Sequence, residues 1–474
     1  MITESIPEFA ILGHPNEGKS SVLSTLAEDD SVRVSPIPGE TTECRTFPVI
    51  IDGREVLRFT DTPGFQNPGR VLSELKKFAE NEASPLKKFR EFAADIPELH
   101  DDRELLGPVE RGAGIIYVVD GSRPVRNVDR AEMEILRLTG KPRMAIINCK
   151  ENDKDHLPAW KNEFRKNFNS NRTFNAHRAT YAERILLLET LKSIDQDWHP
   201  VLSKVVTAFK KDWEARNDTT ADIITSLLTD ALTLQLSKNI SYERKEEEYR
   251  KELFLSYSEK ISRMEKDAHQ RIRSLFKHNI FRYDLPPHSI LNEDLFDERT
   301  WQVLGLTRQQ VVIAGGLGGA AIGAGVEMAT LGHGLGIFTA MGTIAGALGA
   351  LFGGENFSAK AKFLGLPLGG NKVQVGPARS IDLLFILLNR SLLFYQHTIN
   401  WAHGRRDYKS LDNTLVQYQS PQGFTKNWST GNIKICHDFF KAIRNEKEQN
   451  GAAIEKFRQL LLFTMRQISE SDAV

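Results

Sequence analysis

An apolar run, Phe9-Ala10-Ile11-Leu12, empties into Gly13-His14-Pro15-Asn16-Glu17-Gly18-Lys19-Ser20. Glycine, four residues, then Gly-Lys-Ser constrains this chain more than any other stretch, because the pattern needs a strand before it and a helix after it. The glycines let backbone N–H groups turn inward around phosphate oxygens. Lys19 brings a point charge to the β and γ phosphates, and the Ser20 hydroxyl is placed to hold Mg²⁺. Together with Ser21, these residues form the candidate set for binding a nucleoside phosphate.

A helix to about Ala27 should follow, then a polar loop ending in Pro38-Gly39-Glu40-Thr41-Thr42. Two apolar runs, 45–51 and 55–60, flank Asp52-Gly53, a strong hairpin turn signal. The second run ends in Asp61-Thr62-Pro63-Gly64. Asp61 can hold the water shell of Mg²⁺ while the Gly64 N–H senses the γ phosphate. A threonine of the preceding loop can close over the metal as a switch. That order of phosphate loop, loop threonine, hairpin and Asp-x-x-Gly box is the order of a GTPase.

On these motifs, residues 8 to about 195 resemble the G domain of the TrmE-Era class of bacterial GTPases. The resemblance implies an α/β P-loop fold, a mostly parallel sheet with one antiparallel hairpin strand, followed here by a mainly α-helical C-terminal region. It implies Lys19, Thr42, Asp61 and Gly64 as catalytic residues. Ser20, Thr42 and Asp61 would be Mg²⁺ ligands, with Thr41 in reserve. Asn16, in Pro-Asn-x-Gly-Lys-Ser, stands where potassium-activated members hold K⁺; a loop-shaping asparagine is the plainer reading. Phe65 stands where Ras-like enzymes place a water-orienting glutamine, so a bound monovalent cation would supply the charge otherwise given by an arginine finger.

The base-recognition boxes depart from the pattern. The apolar run 143–147 reads as a buried parallel strand, and the chain continues Asn148-Cys149-Lys150-Glu151 where a guanine-specific family has Asn-Lys-x-Asp. Asn148 can address the purine edge and Glu151 can accept the guanine N1 and N2 protons, with Asp153 a competing candidate. Asn175-Ala176-His177 replaces Ser-Ala-Lys, and the Ala176 N–H is placed to reach O6. GTP and GDP are the expected ligands.

The 474 residues exceed one domain, and 62 basic residues balance 62 acidic ones, giving no global electrostatic case for nucleic acid or an anionic membrane. Cys44, Cys149 and Cys436 have no metal spacing, and their odd number speaks against a disulfide framework. Met1 to Glu8 is polar and carries no signal-peptide pattern. The expected division is 1–195 for the G domain, 196–300 helical, 301–365 a glycine-rich hydrophobic hairpin, and 366–474 helical.

Beyond 195 the spacing turns helical, with a densely charged stretch over 242–276 that reads as a helix with one solvated face. A coiled coil between two protomers, hence a homodimer, is the alternative. Residues 311–354 hold fourteen glycines, and Glu327 is the only charge. Gly315-x-x-x-Gly319-x-x-x-Gly323 and two further such spacings let helices approach closely. Stretches 309–329 and 335–352 would be about 30 and 27 Å long as helices, near the bilayer's hydrocarbon thickness. A membrane hairpin is the sharp reading and a buried helical hairpin the bland one, since Glu327 is costly in lipid. A strand near 372–375 and helices over 380–403 and 433–468 complete the expectation.

These readings predict a Mg²⁺-dependent, K⁺-stimulated GTPase coupled to a helical effector that engages membrane lipid or a membrane protein. Its location would be cytoplasmic, at the inner face of the inner membrane where the hairpin inserts. The alternative is a soluble ribosome or RNA assembly GTPase; the C-terminal half shows no KH-like Gly-x-x-Gly loop in a basic setting and no dense basic patch to favour it.

Overall fold

The computed structural model describes residues 6–27, 43–51, 53–149, 155–175, 181–240, 246–276, 371–378, 380–400, 423–444 and 451–471, with short pieces between 291 and 367. The N-terminal part is a six-stranded sheet. Its strands are β1 (Glu8–Leu12), β2 (Arg45–Ile51), β3 (Arg54–Asp61), β4 (Gly114–Asp120), β5 (Arg143–Asn148) and β6 (Ser170–Phe174), in the order β2-β3-β1-β4-β5-β6. Only β2–β3 is antiparallel; β1 pairs in parallel with β3 and β4, and β5 with β4 and β6.

The continuous apolar runs make sense in a sheet buried on both faces. Phe9, Ile11, Ile116, Val118, Met144 and Ile146 enter the core on one face. Ala10, Leu12, Ile115, Tyr117, Val119, Ala145 and Ile147 enter the other. The register pairs Ile11 with Asp61 and Asp120 with Asn148, bringing the motifs to one edge, the carboxyl ends of the strands. The helices of this part are α1 (Lys19–Ala27), α2 (Pro68–Asn81), α3 (Pro85–Phe92), α4 (His100–Glu110), α5 (Asn127–Leu138), α6 (Leu157–Asn167) and α7 (Tyr181–Leu191). No motif announces α2, α3 and α4; proline opens the first two, where its missing N–H costs nothing.

Helix α8 (His199–Thr233) is unbroken for 35 residues, about 52 Å. Leu202, Val205, Val206 and Phe209 pack in the sheet's core, while Trp213 through Leu232 belong to a second, helical core. Trp198, just before it, meets Phe9 edge-on at 5.1 Å, and a Cβ on Gly114 would lie 2.4 Å from its ring. Strand β7 (Leu236–Ile240) then pairs antiparallel with β8 (Asn371–Val375). The second core is closed by α9 (Glu246–Leu275), α10 (Asp382–Ile399), α11 (Thr430–Arg444) and α12 (Gly451–Ser471).

Helix α9 buries Leu253, Tyr257, Ile261, Ala268 and Ile272 against this core within the chain. The single helix expected over 433–468 is instead two, α11 and α12, with Asn450-Gly451 where the second begins. Their apolar periods run on either side of a turn signal, and Phe439 stacks on Phe457 at 4.2 Å. The glycine-rich segment 311–354 lies outside the described residues. Among the described residues, no helix is long and apolar enough to cross a membrane.

Candidate functional site

The loop 13–18 joins β1 to α1 at the sheet's carboxyl edge. Gly13 has φ +148°, and a Cβ there would stand 2.3 Å from the Val118 carbonyl oxygen, so the site excludes a side chain. Gly18 takes φ +89° and Asn16 φ +67°, the left-handed region that asparagine tolerates among non-glycine residues. Gly64 lies against the loop, where a Cβ would come 2.6 Å from Pro15 Cδ. The Phe65 N–H donates to Gly13 O at 3.3 Å, tying the Asp-Thr-Pro-Gly turn to the phosphate loop. The Phe65 side chain is fully buried in the core, so this residue offers no polar group to orient a water.

Lys19 is buried, and its ammonium donates to His14 O at 3.0 Å. Burial lowers its pKa, opposed by the charges of Asp61, Glu132 and Glu17. Ser20 Oγ donates to Asp61 Oδ2 at 3.0 Å. Among the described residues Asp61 Oδ1 is buried without a hydrogen-bond partner, and burial raises the carboxyl pKa despite Lys19, Ser20 and the Thr62 N–H. An oxygen-only pair with one unspent buried carboxylate oxygen is the donor chemistry that Mg²⁺ takes, so these residues fit the metal. Ser21 is buried beside them at the start of α1.

Three carboxylates stand behind this cradle, and each has its own partner. Asp61 has Ser20. Glu132, fully buried, accepts from the Tyr117 hydroxyl at 2.7 Å and meets His14 Nδ1 at 2.9 Å; burial raises its pKa. Glu17 takes the Arg123 guanidinium, with Nε at 3.0 Å from Oε1, and also accepts from the Asp120 N–H. Asn148 Nδ2 donates to Glu17 O at 3.1 Å, so the base-box asparagine braces the phosphate loop. Thr41, Thr42, Lys150, Glu151, Asp153, Ala176 and His177 lie outside the described residues.

Sequence reasoning missed Asp102 on α4. It accepts from the N–H groups of Gln66 and Asn67 at 3.1 and 3.0 Å, anchoring the chain just past Gly64. It missed Arg123 and Glu132 as well. A charged residue at the fourth variable position of a phosphate loop was the available signal, because Glu17 requires a counter-charge.

Fold and site together define a P-loop GTPase domain followed by a helical region. Residues 8–149 match the family described as 50S ribosome-binding GTPase. Residues 161–462, more than half of the chain, match the family described as domain of unknown function (DUF3482), and the chain belongs to that family. It is similar to GTPase Der of Agathobacter rectalis, 28% identical over 142 residues, covering 30% of this chain and 27% of the relative. It is also similar to GTPase Der of Thermotoga petrophila, 25% identical over 207 residues, covering 44% and 39%. The chain thus spans between a quarter and two-fifths of those relatives' length. A solved structure of Era from Aquifex aeolicus bound to GDP.AlF4⁻ aligns at 16% identity over 49% of this chain and 72% of that one, with a TM-score of 0.25. That superposition is too loose to bear on the site.

Proposed function

We propose that the protein binds GTP and hydrolyses it to GDP and phosphate, a nucleotide switch of the TrmE-Era kind built on residues 1–195. The observation that carries this is the Ser20–Asp61 pair beside Lys19, with one buried Asp61 oxygen unspent. The inward N–H groups around Gly13 and Gly18 cradle the phosphates, Lys19 neutralises the β and γ oxygens, and Thr42 closes over the site. Ser20, Thr42 and Asp61 would hold Mg²⁺, which would supply positive charge against the charge that develops on the phosphates. With Phe65 in the glutamine's place, positioning and charge carry the reaction without a side-chain general base. Asn148, Glu151 and the Ala176 N–H read the guanine.

The left-handed backbone of Asn16 accounts for asparagine with or without an ion, so the K⁺ role turns on ion exchange. Phosphate release measured in KCl and in NaCl decides it: a rate that falls in NaCl supports Asn16 as K⁺ ligand, and an unchanged rate removes K⁺ from the reading.

The helical half, 196–300, 301–365 and 366–474, is the effector, and we assign it to engaging membrane lipid or a membrane protein through 311–354. Continuous α8, seated in both cores, is the element that would carry the switch across. A soluble ribosome-assembly role is the second reading, favoured by the family description matched at 8–149. Liposome flotation with GDP and with a non-hydrolysable GTP analogue separates them. Nucleotide-dependent co-flotation that is lost on deleting 311–354 supports the membrane, and protein at the bottom in both states supports the ribosome.

A further inference from the structure

Glu17 is a buried carboxylate inside a loop that cradles a polyanion. Taking such a charge out of water is expensive, and placing it next to phosphates adds repulsion. The fold answers with a closed cluster of two carboxylates and two guanidiniums. Arg123 holds Glu17 through Nε at 3.0 Å and through Nη2, and holds Asp129 through Nη1 at 2.7 Å and Nη2 at 2.9 Å. Asp129 is fully buried and also takes Arg126, whose Nη2 lies 3.7 Å from Glu17 Oε1. The cluster is formally neutral. Trp160 fixes the arginine from outside, with Nε1 donating to Arg123 O at 2.8 Å and its ring 5.1 Å from the guanidinium carbon.

We propose that Arg123 is a positioning residue for nucleotide binding: by cancelling the Glu17 charge and clamping it, Arg123 sets how strongly the phosphate loop attracts its anion. This rests on the phosphate loop binding GTP and GDP. Glu17 also accepts the Asp120 N–H at the end of β4, and its carbonyl takes Asn148 at the end of β5. One clamp therefore reaches both the phosphate side and the base side of the site. A fourth variable residue without charge would need no arginine.

The sign of the effects separates charge from mere geometry. With Arg123→Gln the cluster carries one uncompensated negative charge, and affinity for the fluorescent nucleotide mant-GDP falls by about tenfold or more. With Glu17→Gln it carries an extra positive charge while one acceptor oxygen remains, and affinity rises. The double variant returns to within about threefold of the parent, and Arg123→Lys, which keeps the charge, stays nearer the parent than Arg123→Gln. Titration of the full chain and these variants, each with its thermal unfolding curve recorded, reads all four. Weakening by both single variants with additive loss in the double would overturn the proposal, as would an Arg123→Gln protein that binds like the parent. A parent chain that binds no mant-GDP would instead fail the GTPase reading itself, a result distinct from either.

Discussion

The Ser20 hydroxyl and the Asp61 carboxylate, 41 residues apart in sequence, meet at 3.0 Å. The parallel pairing of β1 with β3 causes this meeting, because it sets Asp61 opposite Ile11, at the mouth of the phosphate loop. Among the described residues the other Asp61 oxygen is buried and unpartnered, a cost that a cation bound at this point would offset.

Ser20→Ala should therefore cut Mg²⁺-dependent GTP turnover by roughly a hundredfold, the scale of one preorganised electrostatic contact. The mutant's Mg²⁺ requirement should shift upward in a titration of phosphate release. Turnover within about threefold of the parent at every Mg²⁺ concentration would contradict the assignment.

Asp102 titrates where stability can report it. Burial raises its carboxyl pKa from 3.8 to about 6, against the pull of the Gln66 and Asn67 N–H groups. The folded state then binds the proton more tightly than the unfolded chain, so this group favours folding more as pH falls from about 6 toward 3.8. Asparagine cannot titrate. Relative to Asp102→Asn, the parent should gain up to about 3 kcal/mol of unfolding free energy between pH 7 and pH 4. Urea unfolding of both proteins across that range measures it, and parallel pH profiles would refute it.

Phe209 packs in the sheet's core and Trp213 in the helical core, so one turn of α8 joins the two. Lys211, exposed between them, marks the place to break the helix. Lys211→Pro should cost about 3 kcal/mol and split calorimetric unfolding into two transitions, while Lys211→Ala should unfold as the parent does. A single transition in the proline variant would show that the cores cohere without the helix.

In the helical core Arg390 holds Glu265 through Nε and through Nη2 at 3.0 Å, and also donates to Leu291 O at 3.3 Å, with both ionic side chains about 5% exposed. Arg390→Met alone strands a buried carboxylate and should cost about 3–5 kcal/mol in urea unfolding. Pairing it with Glu265→Leu should recover most of that loss. A double variant as unstable as the single one would mean that shape, not charge, holds α9 against α10.

The sheet was legible because parallel strands buried on both faces read as unbroken apolar runs, and β1 and β5 are such runs. The hairpin β2–β3 showed through Asp52-Gly53. The phosphate loop and Asp61 were legible because their chemistry forces residue types at fixed spacing. Glu17 with Arg123, separated by 106 residues, left no periodic trace; only the oddity of a carboxylate in that loop pointed to a partner. Asp102 was hidden for the same reason, since it acts on backbone N–H groups whose sequence imposes no pattern. The break between α11 and α12 was overrun because apolar spacing at helical period resumes after the polar run 444–451, which ends in the turn signal Asn450-Gly451.

Lys19, Ser20 and Asp61 are proposed to act together in binding GTP and hydrolysing it. Phosphate release from GTP with Mg²⁺, by the full chain and by Lys19→Ala, tests this most directly. Turnover is expected of the parent, with a loss of at least about a hundredfold in the variant, whose fold is intact by circular dichroism. Equal rates for the two proteins, or no turnover and no GTP binding by the parent, would contradict it.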